Sequence, residues 1–207
     1  MHPNPAFRAT PTAETLAFAT DRGFGALMVN GVDGPFASHV PFDLAADRAS
    51  AELHLVRSNP IVRVLADAPQ PALLAVVGAD SYISPDWYDL PDQVPTWNYV
   101  AAHLRGTLAL LPDDMLRGHL DRLSERFERR LLPKSPWRTD TLPDEILKRF
   151  MRMIVPCRLT ITDVQGTWKL GQNKPAGARL GAADHVAKAG IGLETAALAN
   201  LMRAVPS

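Results

Sequence analysis

The sequence predicts a mainly β chain with added helices, of the α+β class, built as an antiparallel barrel. Six or so segments carry strand patterning, and the first two are separated only by Asn-Gly and Asp-Gly turn residues. Strands and helices do not alternate regularly, which disfavours a parallel doubly wound sheet. One strongly amphipathic helix lies in mid-chain and two alanine-rich helices close the sequence, so the helices read as additions to a barrel.

Thr12–Arg22 reads as a short helix that Thr12 can cap, with Leu16, Phe18 and Ala19 on its apolar side. Phe24–Asn30 and Pro35–Phe42 form a hairpin across the turn residues Asn30-Gly31 and Asp33-Gly34. Glu52–Val56 alternates polar and apolar as a half-buried strand does. Asn59 then caps a short helix with Pro60 in its first turn. Pro71–Val77 is a buried apolar strand that continues through Gly78 toward Ile83. Pro85–Pro95 is a loop. Thr96–Leu111 is one long strand, or a pair kinked near Gly106.

Pro112–Leu131 is the clearest helix. Leu116, Leu120, Leu123, Phe127 and Leu131 recur every three or four residues, and Arg122, Glu125, Arg126 and Arg129 take the other face. A loop holding Trp137 leads to a second helix with Ile146, Leu147, Phe150 and Ile154 on one face. Arg158–Leu170 reads as a hairpin turning at Gln165-Gly166. Gly177–Ala189 and Leu193–Met202 are the terminal helices, split by Gly190 and Gly192. Residues 1–175 are therefore expected to form the barrel domain, with a helical insertion at about 112–154. Residues 176–207 are a helical extension of that same domain.

The composition is ordinary for a globular chain: 207 residues, 46% hydrophobic, 21% charged and a formal net charge of zero. A neutral chain has no bulk attraction to nucleic acid or to an anionic membrane. Cys157 is the only cysteine, which excludes an intramolecular disulfide and a cysteine metal cluster and fits a reducing compartment. No secretory signal and no apolar run of membrane-spanning length is present, so a cytoplasmic protein is expected. None of the six histidines forms the zinc-protease pattern, and there is no GxSxG elbow, Walker loop or GxGxxG after a strand. No metal is expected, and no residue identifies itself as catalytic. Asp86, Asp89 and Asp92 read as a solvated loop. The cluster Arg122, Arg126, Arg129, Arg130 and Lys134 is the better phosphate-binding candidate for DNA, but Glu125 and Glu128 interrupt it, as on a solvated helix face.

Val94–Tyr99, VPTWNY, is the most telling segment. It follows Tyr82–Tyr88, YISPDWY, and together they hold all three tyrosines and two of the four tryptophans. Such rings, each with a broad apolar face and one hydrogen-bonding tip, suit a flat polar ligand. Trp97 and Tyr99 share one strand face while Asn98 points the other way. On spacing alone Trp97 and Tyr99 are a core or interface pair.

These two segments resemble the central signature of the PaiB family. Four more agree, in order along the chain. Met1–Phe7 resembles the family start, MYxPxxF, with His2 where Tyr is usual. Ser38–Phe42 resembles SHLPF, and His54–Pro60 resembles HxxxxNP. Trp168–Lys174 resembles the KLSQNR segment, with Gly171 where Ser is usual. The resemblance implies an FMN-binding split barrel, a homodimer with a flavin at each of two symmetric interface sites, and a role as a negative transcriptional regulator. DNA enters as a partner only through that label. The alternative is a flavin-dependent oxidoreductase that uses bound FMN and a reduced nicotinamide donor.

FMN needs cations or donors for its phosphate, polar groups for its pyrimidine edge and a flat apolar face for its rings. The candidates that the resemblance brings forward are Ser38, His39, Arg57, Asn59, Trp97, Asn98, Tyr99, Lys169, Gln172, Asn173 and Lys174. Several have a plainer reading. Asn59 is the helix cap, Gln172 and Asn173 close a turn before Pro175, Lys174 is a surface charge, and His39 is a structural strand residue.

Overall fold

Six strands close into a barrel in the computed structural model, which describes residues 1–206. They are β1 (Phe24–Gly31), β2 (Gly34–Leu44), β3 (Ser50–Val56), β4 (Gln70–Ile83), β5 (Thr96–Leu110) and β6 (Ile154–Lys169), in the order β1-β2-β3-β6-β5-β4. The helices are α1 (Thr12–Arg22), α2 (Pro60–Asp67), α3 (Met115–Glu128), α4 (Asp144–Met151), α5 (Ala176–Ala189) and α6 (Thr195–Ala204). The antiparallel barrel of the α+β class is thus confirmed. The described residues fall into two compact units. One comprises 19–75 and 104–164; the other comprises 1–18, 76–103 and the chain from 165 onward.

In the first unit, β1 and β2 form the expected hairpin, in register from Phe24 opposite Pro41 to Gly31 opposite Gly34. Gly34 has φ +131°, a backbone region that only glycine enters easily. β3 pairs with β2 and with β6, from Ser50 opposite Thr160 to Val56 opposite Ile154. Alternate residues point inward: Leu27, Val29, Phe42, Leu53, Leu55, Leu74, Leu104, Leu108, Cys157 and Leu159 are buried. Asn59 caps α2 as expected, its Oδ1 accepting from the Ile61 N–H at 2.9 Å, and α2 buries Ile61, Val62 and Leu65.

α3 packs on β2 and β3 through Leu116 and Leu123, yet most of its grip is polar. Arg122 reaches Glu52 and Asp43, Arg126 reaches Asp43 at 3.4 Å, and Arg158 reaches Glu52 at 2.6 Å. His119, wholly buried, sets Nε2 3.1 Å from Nδ1 of His54. One proton serves that contact, so the accepting ring is neutral when it forms. Burial holds His54 below its ordinary value. Burial, then the neighbouring His54, pushes His119 down to about 4. Burial alone would raise the Glu52 carboxyl, but its Arg158 hydrogen bond and the charges of Arg122 and Arg158 hold it below the usual range.

The second unit centres on Ala79, Ile83, Tyr88, Val100, Leu170 and the facing sides of α5 and α6: Ala182, Ala183 and Val186 against Leu198, Ala199 and Met202. Small alanines let the two helices approach closely. Arg179 is buried on α5 and donates to the carbonyls of Met202 (3.0 Å) and Val205 (2.7 Å), satisfying the last turn of α6. The segment between the two helices lies along β4. The Asp80 N–H donates to the Leu193 carbonyl and the Tyr82 N–H to the Ile191 carbonyl, both at 2.9 Å, so these β4 donors are covered.

Three expectations change. Arg158–Leu170 is no hairpin: β6 runs unbroken through Gln165-Gly166. Gly166 serves a close approach instead of a turn, since a Cβ there would lie 2.5 Å from Thr15 Oγ1. Ile154 opens β6 and is not on the preceding helix, which ends at Met151. Leu131 lies beyond α3 in a separate single turn and is exposed. Thr96–Leu110 is one strand. A Cβ on Gly106 would lie 1.9 Å from the Thr160 carbonyl oxygen, so glycine there admits the β6 backbone.

Gly106→Ala is therefore expected to cost about 2 kcal/mol or more, read as a lower urea midpoint at unchanged m-value. A second expectation concerns pH. The His119 folded pKa lies below the ordinary 6.5, so the unfolded chain takes up protons first and stability falls as pH drops from 6.5 toward about 4. The loss reaches on the order of 3 kcal/mol, and in urea titrations across that range His119→Leu should show a flatter dependence than the parent.

Candidate functional site: a lysine-lined cleft

A cleft of about 270 Å³ lies within the second unit. Its walls come from the chain start (Asn4, Phe7), the single turn Pro85–Tyr88 (Tyr88), the following loop (Asp92, Gln93, Val94), the start of β5 (Thr96, Asn98), the end of β6 (Lys169) and the turn after it (Asn173, Lys174). That last turn is shaped by two residues. Gly171 adopts φ +79°, and Lys174 N–H donates to the Gly171 carbonyl at 2.9 Å. Gln172 Oε1 accepts from the Leu170 N–H at 2.8 Å, while its Nε2 donates to the carbonyls of Trp168 (2.5 Å) and Ala6 (3.1 Å).

Asn98 is buried at the base. Its Nδ2 donates to Met202 Sδ at 3.7 Å, a weak partner for a buried amide. Burial raises the Tyr88 phenol above its ordinary value, against a hydrogen bond from Asn98 that lowers it. The two ammonium groups define the electrostatics. Lys169 donates to Thr96 Oγ1 and faces the Phe7 ring at 5.9 Å; Lys174 donates to Gln93 Oε1 and faces the Tyr88 ring at 5.3 Å. Burial, and then the charge of Lys174, lower the Lys169 pKa. Among the described residues neither lysine forms an ion pair with a carboxylate. The arginine-rich helix behaves otherwise: Arg122, Arg126, Arg129, Arg130 and Lys134 are each held by a carboxylate, of Glu52, Asp43, Glu125, Asp21 and Glu128 respectively. Two ammoniums without a carboxylate ion pair in a half-buried cleft are the chemistry an anion asks for, although the Asp92 side chain lines the same cleft.

Of the candidate residues, the structure brings Asn98, Lys169, Asn173 and Lys174 together. Gln172 does not line the cleft; its amide is spent on backbone groups. Trp97 and Tyr99 face away from Asn98, as the period of two requires. Trp97 is 47% exposed, so it is not a core residue, and it meets Tyr82 edge-on at 6.3 Å. The other four belong to the first unit. Asn59 Nδ2 donates to Ser38 Oγ at 2.8 Å, His39 is exposed and stacks on Phe24, and Arg57 binds the carbonyls of Arg152 and Ile154 and the carboxylate of Asp113. Sequence reasoning gave no site role to Asn4, Phe7, Asp92, Gln93, Val94 and Thr96, and Tyr88 was legible only as one of the clustered rings. All fall in or beside the chain start and the YISPDWY and VPTWNY segments, which were legible as motifs but carried no role for these side chains. No group of three or more His, Cys, Asp or Glu among the described residues could hold a metal ion, and no helix there is long and apolar enough to cross a membrane.

The fold is a closed six-stranded antiparallel barrel, and its second unit carries a cleft that gathers two ammonium groups. A family model described as "Putative FMN-binding domain" matches residues 1–163, and the chain belongs to that family. It is 30% identical over 170 residues to "Protease synthase and sporulation protein PAI 2" of Bacillus subtilis (strain 168), a match covering 81% of this chain and 80% of that protein. The PaiB resemblance is thereby confirmed. Among solved structures, the FAD and heme binding protein from Mycobacterium smegmatis superposes with a TM-score of 0.59 at 18% identity, covering 79% of this chain and 73% of that one. A conserved hypothetical protein from Mycobacterium tuberculosis gives 0.57 at 14%, covering 82% and 92%. These two show the shared split-barrel fold.

Proposed function

We propose that the protein binds FMN and works as a homodimer, and that the cleft takes the FMN phosphate. The observation that carries this reading is the pair Lys169 and Lys174, half-buried side by side with no carboxylate partner. The donor set fits the group. Two ammoniums suit a phosphate, the Asn4, Asn173 and Thr96 side chains suit a ribityl chain, and Phe7, Val94 and Tyr88 supply apolar wall. When bound, FMN supplies reversible two-electron and one-electron chemistry; the chain's part is to hold and orient it.

The cleft's size bears on assembly. About 270 Å³ falls just short of the ~300–1,000 Å³ of sites that bury most of a ligand of this size. The cleft takes one end of FMN, and a second copy of the chain is our candidate for covering the rest. The PaiB relationship supports a regulatory role. Contact with DNA through Arg122, Arg126, Arg129, Arg130 and Lys134 is disfavoured, because each already has a carboxylate.

Purified protein is expected to take up one FMN per chain with the visible absorption of a flavoprotein, and to run as a dimer in light scattering. Protein that leaves FMN fluorescence unchanged at micromolar concentrations would sink the reading. Lys169→Met and Lys174→Met should each weaken FMN binding about tenfold or more. Neither should lower the thermal midpoint of the free protein, since each removes a like-charge repulsion.

A further inference from the structure

The chain start is tied to the cleft by few contacts. Asn4 and Phe7 belong to the lining, yet Pro3, Asn4, Pro5, Ala6 and Arg8 are exposed. Within this stretch order is local: the Asn4 side chain accepts from the Ala6 N–H at 2.9 Å, and a single turn spans Pro5–Phe7. Four ties bind the chain start to the rest of the unit, one of them the Thr167 hydroxyl reaching Met1 Sδ at 3.8 Å. Phe7 is buried, its ring 5.9 Å from the Lys169 ammonium. The Ala6 carbonyl accepts from Gln172 Nε2 at 3.1 Å. The His2 N–H reaches Thr167 Oγ1 at 3.4 Å. One buried ring, one ordinary hydrogen bond and long contacts to the Thr167 hydroxyl make an attachment of the kind that opens locally while the rest of a fold stays closed.

We infer that residues 2–8 form a strap that closes over the lysine cleft when a phosphate-bearing ligand enters, with Phe7 as its plug and Gln172 as its catch. This rests on the reading of the cleft as a phosphate site. Two features couple strap to ligand. Gln172 holds the strap at Ala6 and, through Leu170 and Trp168, shapes the turn that presents Asn173 and Lys174. Phe7 offers Lys169 only a ring face where a counter-ion is wanting, and it seals the same ammonium from water once an anion is present. The ligand and the closed strap therefore favour each other, and the coupling is reciprocal. Gln172 acts here as a positioning residue: it lines no part of the cleft and works through the strap and the turn.

The test is amide hydrogen exchange by NMR on the full chain at Ala6, Phe7 and Arg8, read in the free protein, with FMN and with inorganic phosphate. Fast exchange in the free protein that slows at least tenfold with either ligand, while amides of α6 stay unchanged, supports the strap. FMN that binds without slowing these amides overturns it. If FMN does not bind but phosphate slows them, the strap stands and the flavin reading falls; if neither ligand slows them, the strap falls. Phe7→Ala and Gln172→Ala should each speed dissociation of whichever ligand binds by about tenfold, and Phe7→Leu should restore much of the loss. Unchanged dissociation in both alanine variants overturns the proposal.

Discussion

Closing six strands into one barrel removes exposed sheet edges, but it forces neighbouring backbones together, and much of this chain's sequence answers that demand. Gly106 admits the Thr160 carbonyl at a distance no Cβ could tolerate. Gly166 does the same for Thr15, and Gly192 for the Asp80 carbonyl, which a Cβ would meet at 2.3 Å. Gly106 and Gly166 make neither the turn nor the break that an isolated glycine in a strand suggests, and Gly192 sits in the linker between α5 and α6. They allow β5 and β6 to run as single long strands and let the α5–α6 linker lie against β4. Within the second unit, that continuity delivers Thr96 and Asn98 at the start of β5 and Lys169 at the end of β6 to one cleft.

Electrostatics divides the cations into two classes. Those of α3 are neutralised in place, and charged hydrogen bonds join α3 to β2 and β3 beside the contact of buried His119 with half-buried His54. It carries a cost: His119 Nδ1, Arg126 Nη2 and Arg158 Nε are buried with no partner. Lys169 and Lys174 stand in the opposite condition, partnered only by neutral oxygens and ring faces. A formal net charge of zero conceals this contrast, because bulk neutrality says nothing about which charges are satisfied locally.

Most of the elements were legible in the sequence because their signals are local. The Asn59 cap, the β1–β2 turn and the α3 stripe each lie within a few residues. Gln165-Gly166 misled, because the reason for that glycine is α1, far away in sequence. The site was legible in part. Lys169, Asn173, Lys174 and Asn98 sit in segments that carry the family resemblance, and the strand period correctly set Asn98 against Trp97. Phe7 and Thr96 could not be assigned, since each acquires its role only through a lysine more than seventy residues away. Gln172 carried two readings in the sequence, ligand contact and turn closure, and its three backbone partners, visible only in three dimensions, favour the second.

The pairing of β3 with β6 also bears on how the chain folds. Glu52 and Arg158, joined across that seam, are 106 residues apart in sequence, whereas β1 and β2 meet across a two-residue turn. Loop-closure entropy makes such distant pairing slow relative to a hairpin. During synthesis β1 and β2 can associate early, but β3 must wait for β6 to emerge, leaving its outer backbone groups unpaired in the interval. The helices α3 and α4 are made in that interval, and the polar contacts of α3 cover β3 with charge.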